Sequence, residues 1–162
     1  MSTHTIAVSQ TIKQPRAKVW GLLSDFPNIY KYNPNVKKSY SINSKTSGVG
    51  AERKCELYDP GMWLVERVVE EREGEMVKIE IVKSTFPINN PMATIYLEDA
   101  GEGTKVKMEM EFDNKIPLIG GLVAKFMLKP MMEKRLGALI LALGTYLVTG
   151  EEVTNKTELA QE

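Results

Sequence analysis

The sequence predicts an α+β fold: a seven-stranded curved antiparallel sheet wrapped around a long C-terminal helix, with two short helices after the first strand. Three observations lead there. The run from Leu136 to Val148, LGALILALGTYLV, carries no charge, and Met132, Leu136, Leu139, Ile140, Leu143 and Leu147 recur at the three- and four-residue spacings of one helical face. Between Val36 and Asp113, six segments of alternating polarity follow one another, separated by turn signals, as in an antiparallel meander. Ahead of them, an alternating N-terminal segment gives way to helical spacing at Pro15.

Taken in order, Ile6, Val8 and Ile12 alternate with smaller or polar residues and mark the first strand, which Pro15 ends. Val19, Leu22 and Leu23 then describe a short helix stopping before Phe26-Pro27. A second brief turn, Asn28 to Tyr32, stops at Asn33-Pro34 because the residue before a proline is pushed out of helical geometry. The six strands of the meander are Val36 to Ile42, Ala51 to Tyr58, Trp63 to Glu71, Met76 to Lys83, Met92 to Glu98 and Lys105 to Asp113. A longer loop, Ser84 to Pro91, separates the fourth from the fifth. The last strand is the clearest: Val106, Met108, Met110 and Phe112 share one face, and charged residues take the other. Beyond it, Leu118 to Lys129 and Met131 to Val148 read as two helical pieces bent at Pro130. The uncharged run is shorter than the roughly 18 residues a bilayer span requires, so a buried helix is the reading preferred to a membrane span. Residues 1–150 are expected to form one domain, and 151–162 a polar, disordered tail.

Composition narrows the function classes. The 21 basic and 21 acidic residues cancel and are interspersed, which argues against a nucleic-acid partner. A single cysteine, Cys55, excludes an internal disulfide, and the N-terminus lacks the pattern of a signal peptide, so the expected compartment is the cytoplasm. His4 is the only histidine and is read as part of an N-terminal tail, so neither a histidine triad nor a histidine-rich metal site can be assembled. No metal and no cofactor are expected.

A helix about 10 Å wide cannot fill the concave face of a curled seven-stranded sheet, so a cavity should remain. Its expected walls are inward strand residues: Arg53, Cys55 and Leu57, then Ile79, Ile81, Ile95, Met108 and Met110. Phe126, Met132, Leu136 and Ile140 add the helical side. Cys55 is most simply a small core side chain. Arg53 is the more informative residue, because a guanidinium among apolar neighbours must be paired or must serve a ligand, and Glu66 is its best partner. The strand carrying Glu66 can be read in two phases, Leu64, Glu66 and Val68 inward or Trp63, Val65, Arg67 and Val69 inward. Met62, Phe86 and Ile88 fall in loops and fit a gate, with buried loop anchors as the simpler role. Tyr30, Tyr32 and Tyr40 could line the entrance or simply pack, Trp20 anchors the first helix, and Asp25 suits a turn between the two short helices.

The stretch Ile12-x-x-Pro15-x-x-x-Val19-Trp20-x-x-Leu23-x-Asp25-Phe26-x-x-x-Tyr30-x-x-x-Pro34-x-Val36 resembles the opening of the START-like, or SRPBCC, superfamily of helix-grip, birch-pollen-allergen-type proteins, and within it the polyketide cyclase/dehydrase branch. The likeness continues in Gly48-Val49-Gly50-Ala51-Glu52-Arg53, Glu66-Arg67-Val68 and Gly101-Glu102-Gly103-Thr104, and spans roughly residues 6 to 149. It implies a sheet gripping the helix around a cavity for an apolar small molecule. It also favours the strand phase that turns Glu66 and Val68 toward the pocket. Three functions are then weighed. The first is binding or transport of a lipid, isoprenoid or polyketide-like molecule. The second is a cyclase or dehydratase in which Arg53, Glu66 or a tyrosine moves protons. The third is a lipid-transfer or interaction module making transient membrane contact through Leu118, Ile119, Leu122, Val123, Phe126 and Met127. The expected partner is a hydrophobic small molecule, and the protein is read as a monomer or homodimer.

Overall fold

The computed structural model describes residues 3–86, 88–114 and 127–159. Strand β1 (Thr3–Ile12) is followed by helix α1 (Arg16–Ser24) and a 3-10 helix (Phe26–Lys31). The meander then runs through β2 (Val36–Ser41), β3 (Glu52–Leu57), β4 (Trp63–Arg72), β5 (Met76–Ser84), β6 (Ile88–Ala100) and β7 (Gly103–Asn114), and the long helix α2 (Lys129–Thr149) closes the fold. The sheet order is β1-β7-β6-β5-β4-β3-β2, with every neighbouring pair antiparallel. Five of the six pairings join consecutive strands, and only β1 with β7 brings the chain ends together. The period-2 patterns explain the burial: Arg53, Cys55 and Leu57 of β3 are buried while Lys54 and Glu56 are not. In β7, Val106, Met108, Met110 and Phe112 are buried against the core.

The long helix lies over this apolar face, with Leu139, Ile140, Ala142 and Leu143 buried. Where α2 crosses β1 the two come close, and a Cβ at Gly144 would lie 3.2 Å from Ile12 Cγ2. At the start of β7 the approach is tighter still, since a Cβ at Gly103 would lie 2.5 Å from the Ile12 carbonyl oxygen. The neighbouring Thr104 is fully buried and donates its hydroxyl to the Gln14 carbonyl at 2.7 Å. Gly150 ends α2 in the left-handed region, φ 70°, and its N–H bonds the Tyr146 carbonyl.

Several boundaries differ from the sequence reading. β1 begins at Thr3, so His4 belongs to a strand rather than a tail, its ring 5.6 Å from that of Phe112. β6 begins at Ile88, four residues before the expected start, and absorbs half of the expected loop. The chain passes Pro91, which has no N–H to give to the ladder, by a bulge: Asn89 pairs with Asp113 and Met92 with Glu111, so one residue is extra, and Asn90 takes φ 48°. Pro130 sits in the first turn of α2, where a missing N–H costs nothing. The expected piece 118–129 lies outside the described residues except for its last three, of which Met127 is 70% exposed. The expected tail is fastened at one point: Val153 is 1% exposed and its N–H donates to the Lys31 carbonyl at 2.8 Å.

Candidate functional site

Adjacent strands place the central pair of the site. Arg53 of β3 stands directly opposite Glu66 of β4 in the ladder, and both side chains point to the concave face. Arg53 Nε donates to Glu66 Oε2 at 2.5 Å. Its Nη1 donates to the Phe26 carbonyl at 2.8 Å, and the guanidinium carbon lies 3.9 Å from the centroid of the Phe26 ring. The 3-10 helix that follows Asp25 therefore presents both a carbonyl and an aromatic face to one buried cation. The Arg53 side chain is 4% exposed and that of Glu66 is 13%, so the carboxylate is the more open member of the pair. Burial opposes the charge on Arg53, but Glu66 together with Cys55 and Tyr32 more than compensates and the guanidinium is held above its ordinary value.

Two more ionisable groups close the cluster. Cys55 Sγ lies 3.8 Å from Glu66 Oε2, and burial, reinforced by that carboxylate, pushes the thiol well above its ordinary range. Tyr32 is pushed up to about 12 by burial, with Arg53 opposing and Glu66 adding to the shift. Its hydroxyl donates to the Leu22 carbonyl at 3.4 Å. Cys55 and Tyr32 both keep their protons near neutral pH.

This cluster lines a cavity of about 160 Å³ bounded by β3 to β7, α2 and residues between Ile29 and Val36. Of the residues expected to form its walls, Arg53, Cys55, Leu57 and Glu66 line it from one side, and Ile79, Ile81, Ile95, Met108 and Met110 from the other. Met132 and Leu136 close it from α2. Val68 and Ile140 are buried in the core away from this space, and Phe126 lies outside the described residues. Among the expected gate residues, Phe86 lines the cavity. Ile88 also lines it, but as the first, buried residue of β6 and not as an exposed loop side chain. Met62, half-buried in the β3–β4 turn, packs on the core without lining the cavity.

The phase of β4 is the one that turns Leu64 and Glu66 onto the cavity, with Val68 buried behind them. Tyr40 is exposed beside Lys38, and Trp20 and Tyr30 pack against the core. Both carboxylate oxygens of Asp25 accept from the Asn28 side-chain amide at 3.0 Å, which makes Asp25 a turn residue.

Sequence reasoning did not single out three further polar residues of the cavity wall. Asn33, Asn35 and Arg135 line the cavity, and Arg135 Nη2 donates to Asp59 Oδ2 at 2.9 Å, tying α2 to the β3–β4 turn. The signal that could have found Arg135 is helical spacing, since it lies three residues after Met132 and four before Leu139. A larger depression of about 660 Å³ lies between the end of β1 and the last turns of α2. Its lining holds Gln10, Lys13, Gln14, Thr145 and Thr149 but no buried charge, so the chemistry points to the smaller space. His4 Nε2, buried without a hydrogen-bond partner among the described residues, lines neither. Among the described residues no group of three or more His, Cys, Asp or Glu side chains could hold a metal ion, and no helix is long and apolar enough to cross a membrane.

A seven-stranded sheet gripping one long helix over an apolar cavity defines the helix-grip class. The chain belongs to the polyketide cyclase/dehydrase and lipid transport family, whose model matches residues 3–144. Among solved structures it is similar to TTHA0849 from Thermus thermophilus, at 17% identity and a TM-score of 0.76, covering 91% of this chain and 99% of that one. It is also similar to Ara h 8.0201, at 18% identity and a TM-score of 0.72, covering 91% and 99%. An uncharacterised protein from Bacillus thuringiensis gives 16% identity and a TM-score of 0.73 over 90% and 99%. At these identities the likeness is one of fold. No curated protein matches.

Proposed function

We propose that this protein binds a small apolar molecule in the cavity beneath α2, with the Arg53–Glu66 pair orienting one polar end of it. The observation that carries this reading is a buried ion pair facing a largely apolar space. Burying two charges is costly unless they are well paired, and a pair built only for packing has no need to border a cavity. The walls from Leu57, Ile79, Ile81, Ile95, Met108, Met110, Met132 and Leu136 supply the apolar contact. Family membership supports the same class of ligand. Binding is favoured over proton-transfer catalysis because Cys55 and Tyr32, the nucleophile and acid nearest the pair, hold their protons firmly.

The test is mass spectrometry of what co-purifies, comparing the native-state mass with an organic extract. A defined apolar compound near one equivalent is the expected result. An empty protein that also fails to bind any small apolar probe in calorimetric titration would overturn the proposal.

A further inference from the structure

The polar end of the cavity is not symmetric in what it can offer a ligand. Arg53 is the more enclosed member of the ion pair, its side chain 4% exposed: Nε goes to Glu66, Nη1 to the Phe26 carbonyl and one face of the guanidinium to the Phe26 ring, with only Nη2 lacking a protein partner among the described residues. Glu66 Oε2 takes Arg53 and the Cys55 thiol, while Oε1 has no protein partner among the described residues and the carboxylate remains the more exposed of the two groups. The Glu66 side chain is 13% exposed and lines the cavity, which places its carboxylate within reach of whatever occupies that space. A carboxylate oxygen can only accept, so the group that satisfies it must donate.

Size adds a second constraint. A space of 160 Å³ is close to the roughly 150 Å³ that holds one benzene, and below the roughly 300 Å³ at which pockets for drug-sized molecules begin. Resting on the binding reading above, we infer that the cavity takes a neutral hydrogen-bond donor, a hydroxyl or amide N–H, on a body about the size of a substituted benzene ring, and rejects carboxylates. An anionic end group would meet Glu66 with the positive charge of Arg53 already neutralised, and two carboxylates at one site cannot both stay ionised. A bare hydrocarbon would fit the walls but leave Oε1 without the donor it can use.

Three probes of matched shape test this in calorimetric titration of the full chain: p-cresol, p-xylene and p-toluate. The expected result is that p-cresol binds at least about tenfold more tightly than p-xylene and that p-toluate does not compete, since a hydrogen bond to a charged acceptor is worth a factor of this order. In Arg53→Met/Glu66→Leu, where an apolar pair replaces the ion pair, p-xylene binding should persist and the p-cresol advantage should vanish. Should that variant fail to fold, the wild-type series alone decides. Equal binding of p-cresol and p-xylene, or p-toluate binding as well as p-cresol, would overturn the inference while leaving the apolar-binding reading in place. Binding of none of the three overturns both.

Discussion

Tyr32 sits at the back of the cluster, 3% exposed, and its displaced ionisation makes stability depend on alkaline pH. Its ordinary value is 10.0 and burial pushes it up to about 12. Above pH 10 the unfolded chain releases a proton that the folded protein keeps, so the stabilisation is complete below pH 10 and declines as pH rises toward 12. The loss approaches about 1.4 kcal/mol for each pH unit. Urea unfolding at pH 9 and pH 11 should therefore show wild type losing about 1 kcal/mol more than Tyr32→Phe, and equal losses would refute the assignment. The neighbouring pair shows how far single residues could be read from sequence. Arg53 was legible because a charge in phase with Cys55 and Leu57 has few places to go, whereas the inward phase of Glu66 came from the family resemblance. Arg135, Asn33 and Asn35 were not legible, because their place in the cavity wall depends on how α2 and the Asn33–Asn35 turn are set against the sheet, which no local pattern encodes.

At the level of elements, alternation located all six strands of the meander and the helical period located α2, since each pattern follows from burying one face. One miss lies at a proline. Pro91 reads as a strand breaker, yet a bulge carries β6 through it. Glycine contacts make the joints between elements testable. Gly103→Ala would drive a Cβ to 2.5 Å from the Ile12 carbonyl, a backbone atom that cannot swing aside, and should cost about 1–3 kcal/mol. Gly144→Ala meets side-chain rather than backbone atoms, Ile12 Cγ2 at 3.2 Å and Cβ at 3.7 Å, which need give only a few tenths of an ångström, and alanine favours a helix by about 1 kcal/mol over glycine, so the two effects should nearly cancel. Thermal melts of both variants check the contrast. A Gly103→Ala protein as stable as wild type would mean that β1 and β7 are less closely joined than this.

For the molecule as a whole, the cavity is space that the fold leaves unfilled, and filling it should stabilise the protein at the expense of binding. Ala93 of β6 lines the cavity opposite Met110. Ala93→Leu should raise the melting temperature by about 2–4 °C, the shift that about 1 kcal/mol gives a domain of this size, and abolish p-cresol binding. A lowered melting temperature would show that the space is too narrow for the added carbons. The C-terminal segment bears on the same site from outside. Val153 bonds the carbonyl of Lys31, the last residue of the 3-10 helix whose first residue, Phe26, holds Arg53. A chain shortened at Gly150 to aid crystallisation would thus unfasten the support of the guanidinium it was meant to reveal, and an affinity tag is better carried at the opposite terminus.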